Sequence, residues 1–273
     1  MTGALSFPFV QRALFAVLLA APLLGGLSHL VVARRLAFFS AAVGQAVLTG
    51  VSLGVLLGEP VDAPWGSVFG FSLFTGVALV FVRRRSALPA DTLVGVLLAF
   101  TLGLGVCLLV AVTRRFNIHQ LEAVMFGSVL TVQPVDLVLL AVAGALAAAL
   151  VGPMANRLLL QALDSRLAAA ARMPEARDEY LFVVVLTAAI VVSVKVMGAL
   201  MVEAMLVVPA AAARNLAQSA RGTFVLSIVV ALLAGVAGLG VSTQLNVPSG
   251  AAIVLGLALA FGLSLLARLR REG

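Results

Sequence analysis

Charged residues are scarce in this chain. Only 11% of its 273 residues are Asp, Glu, Lys or Arg, and 63% are hydrophobic, against about 25% and 45–50% in a soluble domain. With a mean hydropathy of +1.19, that shortage excludes a soluble globular protein and a disordered one. The single cysteine, Cys107, excludes a disulfide framework or a cysteine metal cage within one chain. Two histidines, His29 and His119, leave little for a histidine-rich centre. Of the 18 basic residues 17 are Arg, and the only lysine, Lys195, sits in Val-Ser-Val-Lys-Val-Met. A P-loop needs a Gly-rich turn ending in Lys and then Ser or Thr, so nucleotide is not bound here in that way. No Ser/His/Asp set, paired catalytic carboxylates or His-Glu-x-x-His motif is present, which disfavours an intramembrane enzyme.

What the chain has in quantity is uncharged length, and a bilayer needs about 20 apolar residues per helical crossing. Arg12 and Arg34 bracket 21 uncharged residues, too long and too cleanly followed by Arg34-Arg35 for a removable signal peptide. Further spans are expected at 36–58, at 63–82 with Trp65 near its start, at 92–113 and at 137–156. The apolar run 123–135 has only 13 residues and reads as an interfacial or re-entrant piece. Residues 157–179 form one substantial charged loop containing a short helical pattern, 163–171, that ends near Pro174. The 34-residue run Tyr180 to Ala213 holds Gly198 and Pro209 and is split into a sixth helix and a shorter, broken seventh. Residues 222–267 give two more, divided at Asn246-Val247-Pro248-Ser249-Gly250. The fold class expected is all-α: a polytopic membrane bundle of 8–9 helices forming one domain over 1–273.

Basic loops stay cytoplasmic. Nine crossings with the N-terminus outside put Arg34-Arg35, Arg83 to Arg85, the 157–179 loop, Arg214 with Arg221, and Arg268 to Arg271 inside, with the Arg114-Arg115 pair as the exception, outside. Eight crossings result if residues 196–213 enter and leave on one face.

A charge at mid-bilayer costs roughly 2.5–3.5 kcal/mol on insertion scales, so each needs a reason. Lys195 and Glu203, eight residues apart, lie about 12 Å apart along a continuous helix and meet only if the chain breaks near Gly198. Pro209 leaves the Met205 carbonyl without its helical donor. Glu203 could face a water-filled path and attract a cation. It could equally be structural, paired with Lys195 or with an arginine across an interface. Ser40 to Gln45, with Thr49 a turn further on, offers small and amide side chains suited to helix packing or to lining a path. His29 and His119 read as interfacial residues and Cys107 as a small hydrophobe.

Several stretches together resemble the permease subunit of the ABC-type zinc/manganese/iron uptake family. They are Gly26 to Phe39 with its double-arginine turn, Asp91-Thr92-Leu93-Val94-Gly95, Met125-Phe126-Gly127-Ser128 with Asp136-Leu137, and Leu163 to Ala168 with Met173-Pro174. The most specific is Lys195 to Val202 continuing through Val207 to Arg214. The resemblance implies a homodimer in the cytoplasmic membrane, each subunit engaging an ATPase chain that carries the ATP and Mg, and an extracytoplasmic metal-binding protein that delivers the cargo. It makes 163–173 a cytoplasmic coupling helix, with Asp164, Leu167, Ala168 and Met173 as contacts for the ATPase. It also implies an Asp and, four residues on, a His after the double-arginine turn; those positions here are Ala41 and Gln45.

The expected function is therefore the permease of an ATP-driven importer of a divalent metal, zinc or manganese, binding no cofactor itself and no nucleic acid. The expected path residues are Glu203, Lys195, Gln45 and Ser40, with Glu203 the metal-attracting carboxylate, two copies of which could form a transient site across a dimer axis. The alternatives are an ABC permease for a metal chelate or a non-metal cargo, and a secondary transporter or channel using Lys195 and Glu203 as a relay.

Overall fold

The computed structural model describes residues 8–59, 64–86, 88–113, 132–245 and 247–272. All regular structure among them is helical. In order the elements are α1 (Pro8–Ala33), α2 (Phe39–Leu56), α3 (Trp65–Arg85), α4 (Ala90–Thr113), α5 (Pro134–Val151), a 3-10 turn (Gly152–Met154), α6 (Ala155–Leu163) and α7 (Ser165–Ala170). They continue with α8 (Glu175–Met197), α9 (Ala199–Leu216), α10 (Ala220–Leu245) and α11 (Ser249–Glu272). Among the described residues eight helical stretches are long and apolar enough to cross a membrane, α5 and α6 counting as one, and α4 adds a shorter apolar segment over Thr92–Leu108. The chain is a multi-pass membrane protein. The expected re-entrant piece lies outside the described residues except for 132–135, as do His119, Arg114-Arg115 and Met125 to Ser128.

In a membrane, helices gain little from hiding apolar surface and associate through close packing of small residues. Two seams show this. A Cβ at Gly50 would stand 2.7 Å from Val68 Cα, joining α2 to α3, and one at Gly238 would stand 2.6 Å from Ile253 Cα, joining α10 to α11. The best-enclosed of the eight spans is α8, with 72% of an apolar 18-residue stretch buried against 28% for that of α11. Phe182, Leu186, Ile190 and Met197 on α8 pack with Leu24, Phe39, Met201 and Met205 in one continuous core.

The arginine-bearing ends gather together. Arg83 and Arg84 at the end of α3 reach Glu179 near the start of α8, and Arg34 after α1 reaches Gln161 on α6. Arg271 approaches the Leu216 carbonyl at the end of α9. Trp65, Asp136 and Lys195 meet at the opposite end.

The division of the 180–213 run falls at Gly198, with φ +83° and ψ 156°. That region is essentially closed to side-chain-bearing residues. One expectation is corrected here: the seventh span is not broken. Helix α9 runs through Pro209, because the Ala210 N–H donates to Ser28 Oγ on α1 at 3.1 Å, so a side chain supports the backbone where the proline ring disturbs the ladder. The start of α5 is also earlier than expected, at Pro134, where a proline costs nothing because the first turn has no donor to lose. Asp136 Oδ2 then accepts the Gln133 N–H at 3.0 Å.

Candidate translocation path and coupling face

Glu203 lies in the second turn of α9, half-buried and facing α2. A Cβ at Gly44 would stand 3.2 Å from Glu203 Oε1 and 3.4 Å from Ala199 Cβ, so the missing side chain is what admits the carboxylate to the seam between the helices. No hydrogen bond or ion pair engages the Glu203 carboxylate among the described residues. Ala41 and Gln45, one turn apart on α2, are likewise half-buried. The Thr49 hydroxyl lies 3.1 Å from the Gln45 carbonyl and 3.0 Å from that of Thr101, tying this part of α2 to α4.

The other residues expected on the path go elsewhere. Lys195 does not pair with Glu203. In the last turn of α8 its Nζ lies 3.0 Å from Asp136 Oδ1 and 4.3 Å from the centre of the Trp65 ring. The reason is length and direction: Gly198 turns the chain back, and the lysine stem reaches on past the helix end toward α3 and α5. Ser40 Oγ donates to the Ala37 carbonyl at 3.0 Å and is buried, so it holds the α1–α2 turn rather than facing Glu203.

At the arginine-rich end, α6, α7 and the start of α8 make a compact excursion. Asp164 Oδ1 accepts the N–H groups of Arg166 at 2.9 Å and Leu167 at 3.0 Å, the bonding of an N-cap, so its carboxylate is committed to starting α7. Leu167 is exposed, as is Leu163, whereas Ala168 is buried and turned inward. Met173 is half-buried, and its N–H donates to the Ala168 carbonyl at 3.2 Å, closing the excursion after Arg172 at φ 50°. An outward apolar surface therefore rests on Leu163 and Leu167, and Ala168 is unavailable to a partner.

Behind this surface lies a network that the linear reading missed. Buried Glu179 accepts from Arg83 at 3.2 Å and Arg84 at 3.0 Å. Gln161 links Arg34 at 3.4 Å to Asp178 at 3.1 Å, and Arg157 stands 3.9 Å from Asp178. Burial pulls the Arg34 guanidinium below its ordinary value, while Glu179, Glu175 and Asp178 oppose that pull and Arg83 adds to it. A cavity of about 350 Å³ opens among Arg34, Arg83, Arg84, Gln161, Glu175 and Glu179. The signal available in the sequence was two arginine clusters and one acidic cluster at the ends of apolar runs; nothing linear said which would meet.

Among the described residues no three His, Cys, Asp or Glu side chains cluster closely enough to hold a metal ion. What the geometry offers is one carboxylate in a helix seam, without a partner among the described residues, and an outward apolar surface braced by ion pairs.

Residues 6–268 match the ABC 3 transport family. The chain belongs to that family. It is 29% identical over 259 residues, 95% of this chain and 91% of the relative, to the manganese import system permease protein ScaB of Streptococcus gordonii. To the high-affinity zinc uptake system membrane protein ZnuB of Haemophilus influenzae it is 26% identical over 264 residues, covering 97% and 98% of the two chains. Among solved structures it superposes on a chain of PsaBC from Streptococcus pneumoniae in complex with Fab, with a TM-score of 0.82 at 29% identity, covering 96% and 93% of the two chains. Membership of the ABC 3 family makes the bundle a transport permease and implies an ATPase and a substrate-binding protein as partners.

Proposed function

We propose that this chain is the permease subunit of an ATP-driven importer of divalent metal, manganese or zinc, and that Glu203 is the carboxylate past which the ion moves. The names of the full-length relatives, manganese and zinc uptake permeases, support the cargo class. The observation that carries the site is Glu203 in the α2–α9 seam, opened by Gly44 and without a partner among the described residues. A partnerless carboxylate inside a membrane bundle is costly unless water or a cation reaches it. Because the described residues supply no cluster of ligands there, the site suits brief occupancy during passage rather than tight storage.

The arginine-rich end is the cytoplasmic one in this reading, following the positive-inside rule. The α7 excursion then meets the ATPase through Leu163 and Leu167, and ATP hydrolysis resides on that partner chain. Two copies of the permease form the pore, bringing two Glu203 side chains to a shared path. A relay through Lys195 and Glu203 has less support, since Lys195 is engaged by Asp136 and Trp65.

The test is reconstitution of the permease with its ATPase and binding protein in vesicles, reading manganese and zinc uptake and metal-stimulated ATP hydrolysis. Glu203→Gln is expected to lower uptake by about tenfold or more, in the range that loss of a metal-orienting group costs, with an unchanged melting temperature. Full uptake by that variant would remove Glu203 from the path.

A further inference from the structure

A second, larger cavity lies away from Glu203. Its volume is about 730 Å³, its floor is α1, and its walls are α5 with α6 on one side and the start of α10 on the other. The lining is almost wholly apolar, including Leu23, Leu27, Ala148 and Val225. Along α1 it runs from Leu19 to Leu30, about 16 Å at 1.5 Å per residue. That is close to half of a hydrocarbon core about 30 Å thick. The groove therefore has the depth of one leaflet.

Its polar groups are confined to one end, the arginine-rich one. Asn156 and Arg221 stand at the mouth, and Arg221 has no ion pair or hydrogen bond among the described residues. A little deeper, His29 lines the groove at 9% exposure, packed edge-on against Phe224, and its Nε2 has no partner. A cation at headgroup level, an unsatisfied imidazole just below it and an apolar trough below that follow the order of a phospholipid: phosphate, ester linkage, acyl chain.

We infer that this groove is a binding site for one anionic phospholipid of the leaflet at the arginine-rich end, its phosphate held by Arg221, its ester region beside His29 and one acyl chain along α1. This goes beyond the transport reading and does not depend on the cargo. A leaflet rich in anionic lipid favours a basic headgroup contact by roughly 1 kcal/mol per arginine, or about fivefold in retention.

Full-length protein extracted from membranes in mild detergent, analysed by native mass spectrometry with added dioleoylphosphatidylglycerol or dioleoylphosphatidylcholine, tests the site. One phosphatidylglycerol per chain is expected to survive detergent exchange that strips phosphatidylcholine. Arg221→Gln should lower phosphatidylglycerol retention about fivefold and abolish the preference. Gly144→Phe should remove both lipids by filling the groove, since a Cβ at Gly144 meets nothing within 4 Å and the fold has room for it; an unchanged melting temperature verifies this. The inference is overturned if the wild type retains the two lipids equally, if neither variant alters retention, or if a cysteine introduced at Ala145 cross-links two copies of the chain, which would make a second copy the occupant.

Discussion

Glu179 does more for this protein than its position at the edge of an apolar run suggests. It is buried, and it answers two arginines from α3, so it fixes the start of α8 to the end of another helix. Glu179→Gln would leave Arg83 and Arg84 repelling one another beside Arg34. Because both arginines are about one-third exposed (29% and 35%), the loss belongs between surface and buried pairs, about 1–2 kcal/mol. A fall in the melting temperature of the purified protein would register it. A second consequence is specific to coupling: ATP hydrolysis by the assembled complex should persist while cargo uptake falls, which simple unfolding would not produce. Lys195 shows the same lesson at the other end of α8. Lys195→Met would leave Asp136 buried without its cation, and should destabilise more than the double variant Lys195→Met with Asp136→Asn, a comparison made in one series of melting curves.

At the scale of elements, the turn between α8 and α9 depends on a single residue. Gly198 holds φ +83° and ψ 156°, and Gly198→Ala should cost about 1–3 kcal/mol, read as lower thermal stability together with lost uptake. Most elements were legible in the sequence because uncharged runs and arginine stops are one-dimensional signals. The division at Gly198, the short helical piece within 163–171 and a third span beginning close to Trp65 follow from local chemistry alone. Partnerships were not legible. Whether Lys195 meets Glu203 or Asp136 depends on where the chain turns back and on how α5 sits beside α8, neither of which is a property of neighbouring residues. Pro209 misled for a related reason: the rule that proline breaks a helix is local, and the Ser28 hydroxyl that rescues α9 comes from 182 residues away.

For the whole molecule, the gathering of arginines at one end makes a topological prediction. Cys107 is the sole cysteine and is exposed, so Cys107→Ser gives a background for single labels. A cysteine at Leu167 should react with a membrane-impermeant maleimide only in inverted vesicles, and one at Leu245 only in intact cells; both positions are exposed, at opposite ends of the bundle. The reverse pattern would invert the chain and with it the assignment of α7 to the ATPase. The anchoring of α8 also has a mechanical meaning. Glu179 pins it at one end and Lys195 at the other, so it is a strut fastened to α3 at both ends, through Arg83 and Arg84 below and Trp65 above. A strut held that way does not pivot. Glu203 rides on the next helix, joined to that strut through a lone glycine and held farther along by Ser28 on α1 and Ser264 on α11, so any bending between the two helices is concentrated at Gly198.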